Sequence, residues 1–287
     1  MSRIAYVNGQ YVRQSDAMVN VEDRGYQFAD GVYEVIAVHG GKLVDAEPHY
    51  DRLARSLDGL RIAAPCSRRA LGLILARIVR RNRVRNGFVY LQVTRGVAPR
   101  NHPFPARDTR PSLVITASHR GPPSDAQVER GARVITVPES RWARPDLKTV
   151  SLLPNVLAKQ QALDAGAYEA WFVDSDGHVT EGSSTNAWIV VDGQEIVTRP
   201  LGQDILAGIT RQTLIEVARA NNMRVTERVF TVAEAKRAKE AFLTSTTSFV
   251  MPIVSIDGAP VGEGGPGRVT LRLLDAYRRH LNQDAAP

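Results

Sequence analysis

The run Thr180-Glu181-Gly182-Ser183-Ser184-Thr185-Asn186 places a single carboxylate among small hydroxyl and amide side chains. Apolar, strand-like stretches flank it at 168–173 and 187–191. An acid at the end of a buried strand stays ionised only against a specific polar partner. The second ingredient is an amine. Lysine occurs at only five positions, 42, 148, 159, 236 and 239, against 37 Lys and Arg in all. Lys42 follows a hairpin turn, Lys159 falls in a helical stretch, and Lys236 and Lys239 belong to a mixed-charge run. Lys148 sits in Arg144-Pro145-Asp146-Leu147-Lys148-Thr149-Val150, at the entry to a helix that Pro154 opens. A nucleophilic lysine there needs desolvation to lower its pKa; a surface lysine needs nothing.

Three more patterns could carry chemistry. Gly208-Ile209-Thr210-Arg211 is a small-residue turn before a helix, which exposes backbone N–H groups to an anion. Thr244-Ser245-Thr246-Thr247-Ser248 offers five consecutive hydroxyls at a strand end. Arg95-Gly96-Val97-Ala98-Pro99-Arg100-Asn101-His102-Pro103 is a proline-bounded loop with the cations to trap a carboxylate. Each also has a plain structural explanation: an N-cap, a polar strand edge, a surface loop.

The elements that must position these residues follow from pattern. Asn8-Gly9 and Gly40-Gly41 mark hairpins, the first between 4–7 and 10–12, the second between 32–38 and 42–44. Leu53, Leu57 and Leu60 share a helical face over 48–60, and Leu71, Ile74, Leu75 and Ile78 do so over 67–84. Strands are predicted at 88–94 and 112–116. Arg120-Gly121-Pro122-Pro123-Ser124-Asp125 reads as a linker, which divides the chain into a smaller domain, 1–120, and a larger one, 121–287. Beyond it come a strand at 132–137 and a helix at 154–165. A helix at 210–221 that Thr210 can cap, strands at 241–244 and 250–256, and a closing helix at 270–281 complete the pattern. Hairpins outnumber βαβ units, so the fold class is α+β, with mainly antiparallel sheets and flanking helices.

Composition narrows the function. With 43% hydrophobic and 23% charged residues, the 287-residue chain is ordinarily globular. No apolar run approaches the ~20 residues that span a bilayer, and the N-terminus has no signal-peptide pattern. Cys66 is the lone cysteine, which fits a reducing cytoplasm. The net charge of +7 does not point to nucleic acid, because the one dense basic run, 77–85, has no aromatics interleaved. A pocket for a small phosphorylated or carboxylated ligand is the better use of the charge.

An amine, a carboxylate, an anion-binding helix start, further phosphate donors and a separate carboxylate trap are together what pyridoxal 5'-phosphate chemistry needs. In order and wording the chain resembles the fold-type IV pyridoxal-phosphate enzymes, and among them the bacterial D-amino-acid aminotransferases. Asp146-Leu147-Lys148, 180–186, Gly208-Ile209-Thr210-Arg211 and 244–248 carry the likeness.

The resemblance implies two domains with the cofactor between them, and a Schiff-base role for Lys148, placed with the C-terminal domain. It implies that Glu181 pairs with the pyridine nitrogen, and that Arg52, Ile209, Thr210, Ser245 and Thr246 hold the phosphate. Apart from the resemblance, Arg52 reads as a solvated helix arginine. In the D-specific enzymes a tyrosine of Asp-Gly-Val-Tyr-Glu and an Arg-x-His loop hold the substrate carboxylate. The matching residues are Tyr33, Arg100 and His102, with Thr247 facing the substrate. Ala29 stands where glycine is common, and Asn101 where an acid or small residue is. The implied reaction is ping-pong transfer of an amino group from a D-amino acid such as D-alanine to 2-oxoglutarate or a similar acid, in a homodimer. Rivals on the same fold are 4-amino-4-deoxychorismate lyase, (R)-amine transaminase and the branched-chain L-amino-acid enzymes. The last usually carry Phe-Glu-Gly where this chain has Tyr33-Glu34-Val35.

Overall fold

In the computed structural model, which describes residues 3–284, the chain divides into two compact units. The first runs up to Gly121 and takes in the segment Leu147–Ser151; the second holds Pro122–Asp146 and Leu152–Gln283. The fold is α+β.

The first unit contains β1 (Ile4–Val7), β2 (Gln10–Arg13), α1 (Arg24–Phe28), β3 (Gly31–His39), β4 (Lys42–Leu43), α2 (Ala46–Gly59), α3 (Arg68–Arg81), β5 (Gly87–Thr94) and β6 (Ser112–Ser118). Its six strands form one sheet in the order β2-β1-β6-β5-β3-β4, antiparallel throughout. Asn8 and Gly9 adopt φ of 46° and 99°, which is why that pair makes the first hairpin. Leu53 and Leu57 of α2 and Leu71, Leu75 and Ile78 of α3 pack on Ile36, Val89, Leu91 and Ile115 of the sheet. Each such side chain stabilises by about 1.5–3 kcal/mol when fully buried, and Leu75→Ala would cost about 2–5 kcal/mol.

Lys148 belongs with this unit, not with the C-terminal domain where the resemblance places it. Its segment docks along β3 by backbone pairing. Tyr33 N–H donates to the Lys148 carbonyl at 2.9 Å, Val150 N–H to the Gly31 carbonyl at 3.0 Å, and Val32 and Thr149 form an antiparallel bridge.

The second unit contains α4 (Asp125–Arg130), β7 (Ala132–Pro138), α5 (Leu153–Asp164), β8 (Glu169–Val173), β9 (Val179–Gly182), β10 (Asn186–Val190), β11 (Ile196–Thr198), α6 (Ile209–Ala220), β12 (Val225–Glu227), α7 (Val232–Arg237), β13 (Glu240–Ser245), β14 (Phe249–Ile256), β15 (Ala259–Pro260) and α8 (Arg268–Asp284). The strand order is β12-β11-β10-β13-β14-β7-β8-β9, with β15 on β14. Three pairs are parallel, β11–β12, β14–β7 and β7–β8; the other five are antiparallel. Glu240, next to the mixed-charge run of Lys236 and Lys239, accepts from Val269 N–H at 2.9 Å and from Thr270 N–H at 2.8 Å. It thereby satisfies first-turn donors of the closing helix. No helix among the described residues is long and apolar enough to cross a membrane.

Candidate active site

The Lys148 backbone is pinned from two sides. Its carbonyl accepts from β3, and its N–H donates to Ser56 Oγ on α2 at 3.2 Å. The amine Nζ donates to the Tyr33 hydroxyl at 3.3 Å and lies 4.3 Å from that ring's centroid. Tyr33 stacks on Tyr90 from β5, with centroids 5.7 Å apart and planes 29° from parallel. Tyr90 donates to Gln92 Oε1 at 2.7 Å. Burial first, then the neighbouring Tyr33, pushes the Tyr90 phenol up to about 12. Lys159, Lys236 and Lys239 each pair with a carboxylate, of Glu169, Asp257 and Asp192 respectively. Lys148 rests on a phenol instead.

Glu34 follows Tyr33 on β3 and so points to the opposite face of the sheet. It is fully buried. Arg52 of α2 donates to it through Nε at 2.8 Å and Nη2 at 2.7 Å, and His49 Nδ1 lies 2.7 Å from Oε2. Burial raises the Glu34 pKa, but Arg52 and then His49 outweigh it and hold the group at about 2. Burial depresses the His49 pKa; Glu34 opposes this, and the charges of Arg52 and Lys148 add to it. Arg52, assigned to the phosphate from sequence, therefore has a forked ion pair that fixes its guanidinium plane.

Arg100 and His102 stand on an exposed loop, against Phe28 of α1. The Arg100 guanidinium lies 4.7 Å from the Phe28 ring centroid, and the His102 ring 5.5 Å from it. Among the described residues, no hydrogen bond, ion pair or ring contact joins Arg100 or His102 to Tyr33. Ala29, the departure from glycine, caps α1 at φ 55° and ψ 28°. That left-handed conformation is one glycine adopts freely and alanine does not.

In the second unit, Glu181 on β9 gathers three partners, two of them distant in sequence. Its carboxylate accepts from Arg141 Nη1, from Asn186 Nδ2 at 2.9 Å, and from Leu206 N–H, 3.1 Å from each oxygen. Arg141 is itself forked on Glu139, through Nε at 2.9 Å and Nη2 at 2.7 Å, and lies 4.7 Å over the Phe172 ring. Burial alone would lower the Arg141 pKa; Glu139 and Glu181 raise it above its ordinary value. Ser183 and Ser184 of the same run turn away to Glu169, whose carboxylate both hydroxyls reach. Sequence reasoning missed Arg141 and Glu139. Their only trace is an acid and an arginine two residues apart, which many loops contain.

Asn186 joins this acid to the anion-binding candidates. Its Nδ2 also donates to the Leu206 carbonyl at 3.1 Å, and its β-register partner is Thr244. Helix α6 starts one residue earlier than predicted, and its N-cap is Gly208, not Thr210. Only glycine fits at this N-cap: a Cβ on Gly208 would lie 2.0 Å from Asn186 Oδ1. Gly208 makes no side-chain cap, so the N–H groups of Ile209 and Thr210 start the helix without one. Through Asn186 and Thr244 this helix start shares one end of the sheet with the hydroxyl turn. There Ser245 Oγ and Thr247 Oγ1 are 3.1 Å apart, and Ser248 N–H donates to Ser245 Oγ at 3.0 Å. Thr246 lies in the same turn, which Phe249 closes at φ 54°, a costly conformation for a bulky residue.

A family model described as amino-transferase class IV matches residues 31–256. The chain belongs to the class IV aminotransferases. Its D-alanine aminotransferase relative in Staphylococcus aureus strain COL is 39% identical over 277 residues, covering 96% of this chain and 97% of the relative. That of Listeria innocua serovar 6a is 41% identical over 272 residues, covering 94% and 93%. Among solved structures, a T.th. branched-chain amino acid aminotransferase with pyridoxamine 5'-phosphate superposes with a TM-score of 0.90 at 28% identity. That match covers 99% of this chain and 95% of that one. An aminotransferase moves an amino group between an amino acid and a 2-oxo acid, so both are substrates here.

Proposed function

We propose that this class IV aminotransferase transfers the amino group of a D-amino acid, D-alanine or one like it, to a 2-oxo acid such as 2-oxoglutarate. The Lys148 amine held on the Tyr33 phenol is the observation that carries the reading. Identity of about 40% with D-alanine aminotransferases over nearly the whole chain supports the choice of D-substrate.

The donor sets fit pyridoxal 5'-phosphate. An uncapped helix start beside three hydroxyls suits a phosphate, and an acid charge-paired with Arg141 suits a protonated ring nitrogen. When bound, the cofactor supplies an aldehyde for amino-group exchange and an electron-withdrawing ring. Ile209, Thr210, Ser245, Thr246 and Arg52 would bind its phosphate; Glu181 would keep its ring nitrogen protonated. Lys148 would hold the cofactor covalently and move the substrate α-proton at Nζ, with the Tyr33 hydroxyl fixing where that nitrogen stands. Tyr33, Arg100 and His102 would bind the substrate carboxylate, and Thr247 would line the substrate side. Arg141, locked on Glu139, would keep Glu181 ionised.

We extend the reading to a homodimer. The exposed apolar face of α5, with Leu153, Val156, Leu157 and Leu163 each more than half exposed, supports it. Sedimentation should then give about twice the 31.5 kDa of one chain.

A half-reaction screen tests the substrate. The cofactor-loaded protein is mixed separately with D-alanine, L-leucine, (R)-1-phenylethylamine and aminodeoxychorismate, and the cofactor's visible absorbance is followed. D-alanine should convert it fastest, and Lys148→Ala should lose the conversion by roughly a thousandfold or more. Conversion by L-leucine alone would overturn the assignment.

A further inference from the structure

Residues 100–102 of the loop lie outside any strand, and two side chains of α1, Arg24 and Phe28, contact them. Arg24 of α1 is buried, and its guanidinium works in two directions. Nε donates to Asp30 Oδ2 at 2.9 Å. Nη1 donates to the Asn101 carbonyl at 2.6 Å, and Nη2 to the His102 carbonyl at 3.3 Å. Asp30 is in turn gripped by Arg95, through Nε at 2.7 Å and Nη2 at 2.9 Å. Arg95 also donates to the carbonyls of Arg61 and Leu60, each at 2.8 Å, so the acid cannot swing away. The side-chain exposures of Arg24, Asp30 and Arg95 are 4%, 12% and 9%. Finally, Phe28 collects three groups around one ring: the guanidiniums of Arg24 at 4.8 Å and Arg100 at 4.7 Å, and the His102 imidazole at 5.5 Å.

We infer that Arg24, oriented by Asp30, is the positioning residue for the Arg100–His102 loop, and that Phe28 is the platform on which the two ligand side chains are presented. The inference rests on Arg100 and His102 being the carboxylate ligands proposed above. Its physical content is direct. The carbonyls of Asn101 and His102 accept from a buried, ion-paired guanidinium, and charge-assisted bonds of this kind are the strong ones. The loop is therefore ordered before substrate arrives, so a carboxylate need not bear the cost of ordering it. Asp30, Tyr33 and Glu34 share one short motif, so a single strand start sets the lysine's phenol, the Arg52 anchor and the loop clamp.

Two readouts test this. Arg24→Met keeps the aliphatic stem and removes the donors, while Asp30 keeps Arg95. Losing two charge-assisted hydrogen bonds should raise KM for D-alanine and for 2-oxoglutarate by about tenfold or more, with kcat changed less than KM. Independently of cofactor and activity, trypsin cleavage after Arg100, followed by mass spectrometry of the fragments, should accelerate in Arg24→Met. It should also accelerate in Phe28→Ala, with protection kept in Phe28→Tyr, which retains the ring. Unchanged KM and unchanged cleavage in Arg24→Met would overturn the inference. Arg100→Ala separates it from the reading beneath it. If that variant leaves both KM values unchanged, the carboxylate assignment fails, while the cleavage assay still decides whether Arg24 holds the loop.

Discussion

Glu34 in the first unit and Glu181 in the second are both buried acids held by arginine, but their partners differ in kind. Glu34 draws Arg52 and His49 from one helix, three residues apart, so its network is a joint between α2 and β3. Glu181 draws a guanidinium from residue 141, an amide from 186 and a backbone N–H from 206. It is a knot tying two loops, at 141 and 206, to the start of β10. The difference teaches that a buried carboxylate can serve either a local packing joint or the geometry of a site. Removing Glu34 should show first in stability and, through Arg52, in cofactor affinity, and removing Glu181 mainly in chemistry.

The comparison breaks most visibly at Glu34. Glu34→Gln strands Arg52 without its anion, and breaking a buried pair costs about 3–5 kcal/mol, to be read from urea unfolding. Glu181→Gln keeps an acceptor for Asn186 and Leu206 and should cost less, about 1–3 kcal/mol. Its D-alanine half-reaction should nevertheless fall about a hundredfold or more, on the scale of losing a preorganised electrostatic partner. Equal stability losses with equal activity losses would erase the distinction.

Acid sharpens it. The Glu34 pKa is depressed to about 2, so its stability contribution is complete above the ordinary value of 4.5 and is lost as pH falls from there towards 2. His49 is depressed too, so its contribution has the same sign and fades as pH falls below its ordinary 6.5. Acid titration of unfolding free energy should therefore be steeper below pH 4.5 in wild type than in Glu34→Gln. A smaller effect sits nearby: Ala29→Gly relieves a left-handed alanine and should stabilise the first unit by up to about 1 kcal/mol. No gain, or a loss, would mean that the Ala29 side chain contributes packing worth as much as its strain.

What the sequence discloses follows the range of each interaction. The first hairpin is legible because Asn8-Gly9 is a local torsional signal, and α3 because Leu71, Leu75 and Ile78 repeat at helical spacing. Helix α4 falls in and beyond the stretch that reads as linker. Its six residues are too few for a periodic face, although Ser124 and Gln127 form a capping box. The docking of Lys148 on β3 is hidden because backbone N–H and C=O groups make the pairing, and those hardly vary with residue type. Glu181 stands out for its neighbours in sequence. Arg141 does not, since its partnership exists only once β9 and the 139–141 stretch are folded together.

Gly208 ties these points to the mutational profile of a single position. Its φ of −62° and ψ of 131° are open to any residue, so torsion does not require glycine. Clearance does: the first carbon of any side chain would arrive 2.0 Å from Asn186 Oδ1. The penalty at this position should thus be a step and not a slope, with alanine tolerated nearly as poorly as leucine. Whatever the substituent, the injury would register at Glu181, through the amide that Asn186 no longer delivers.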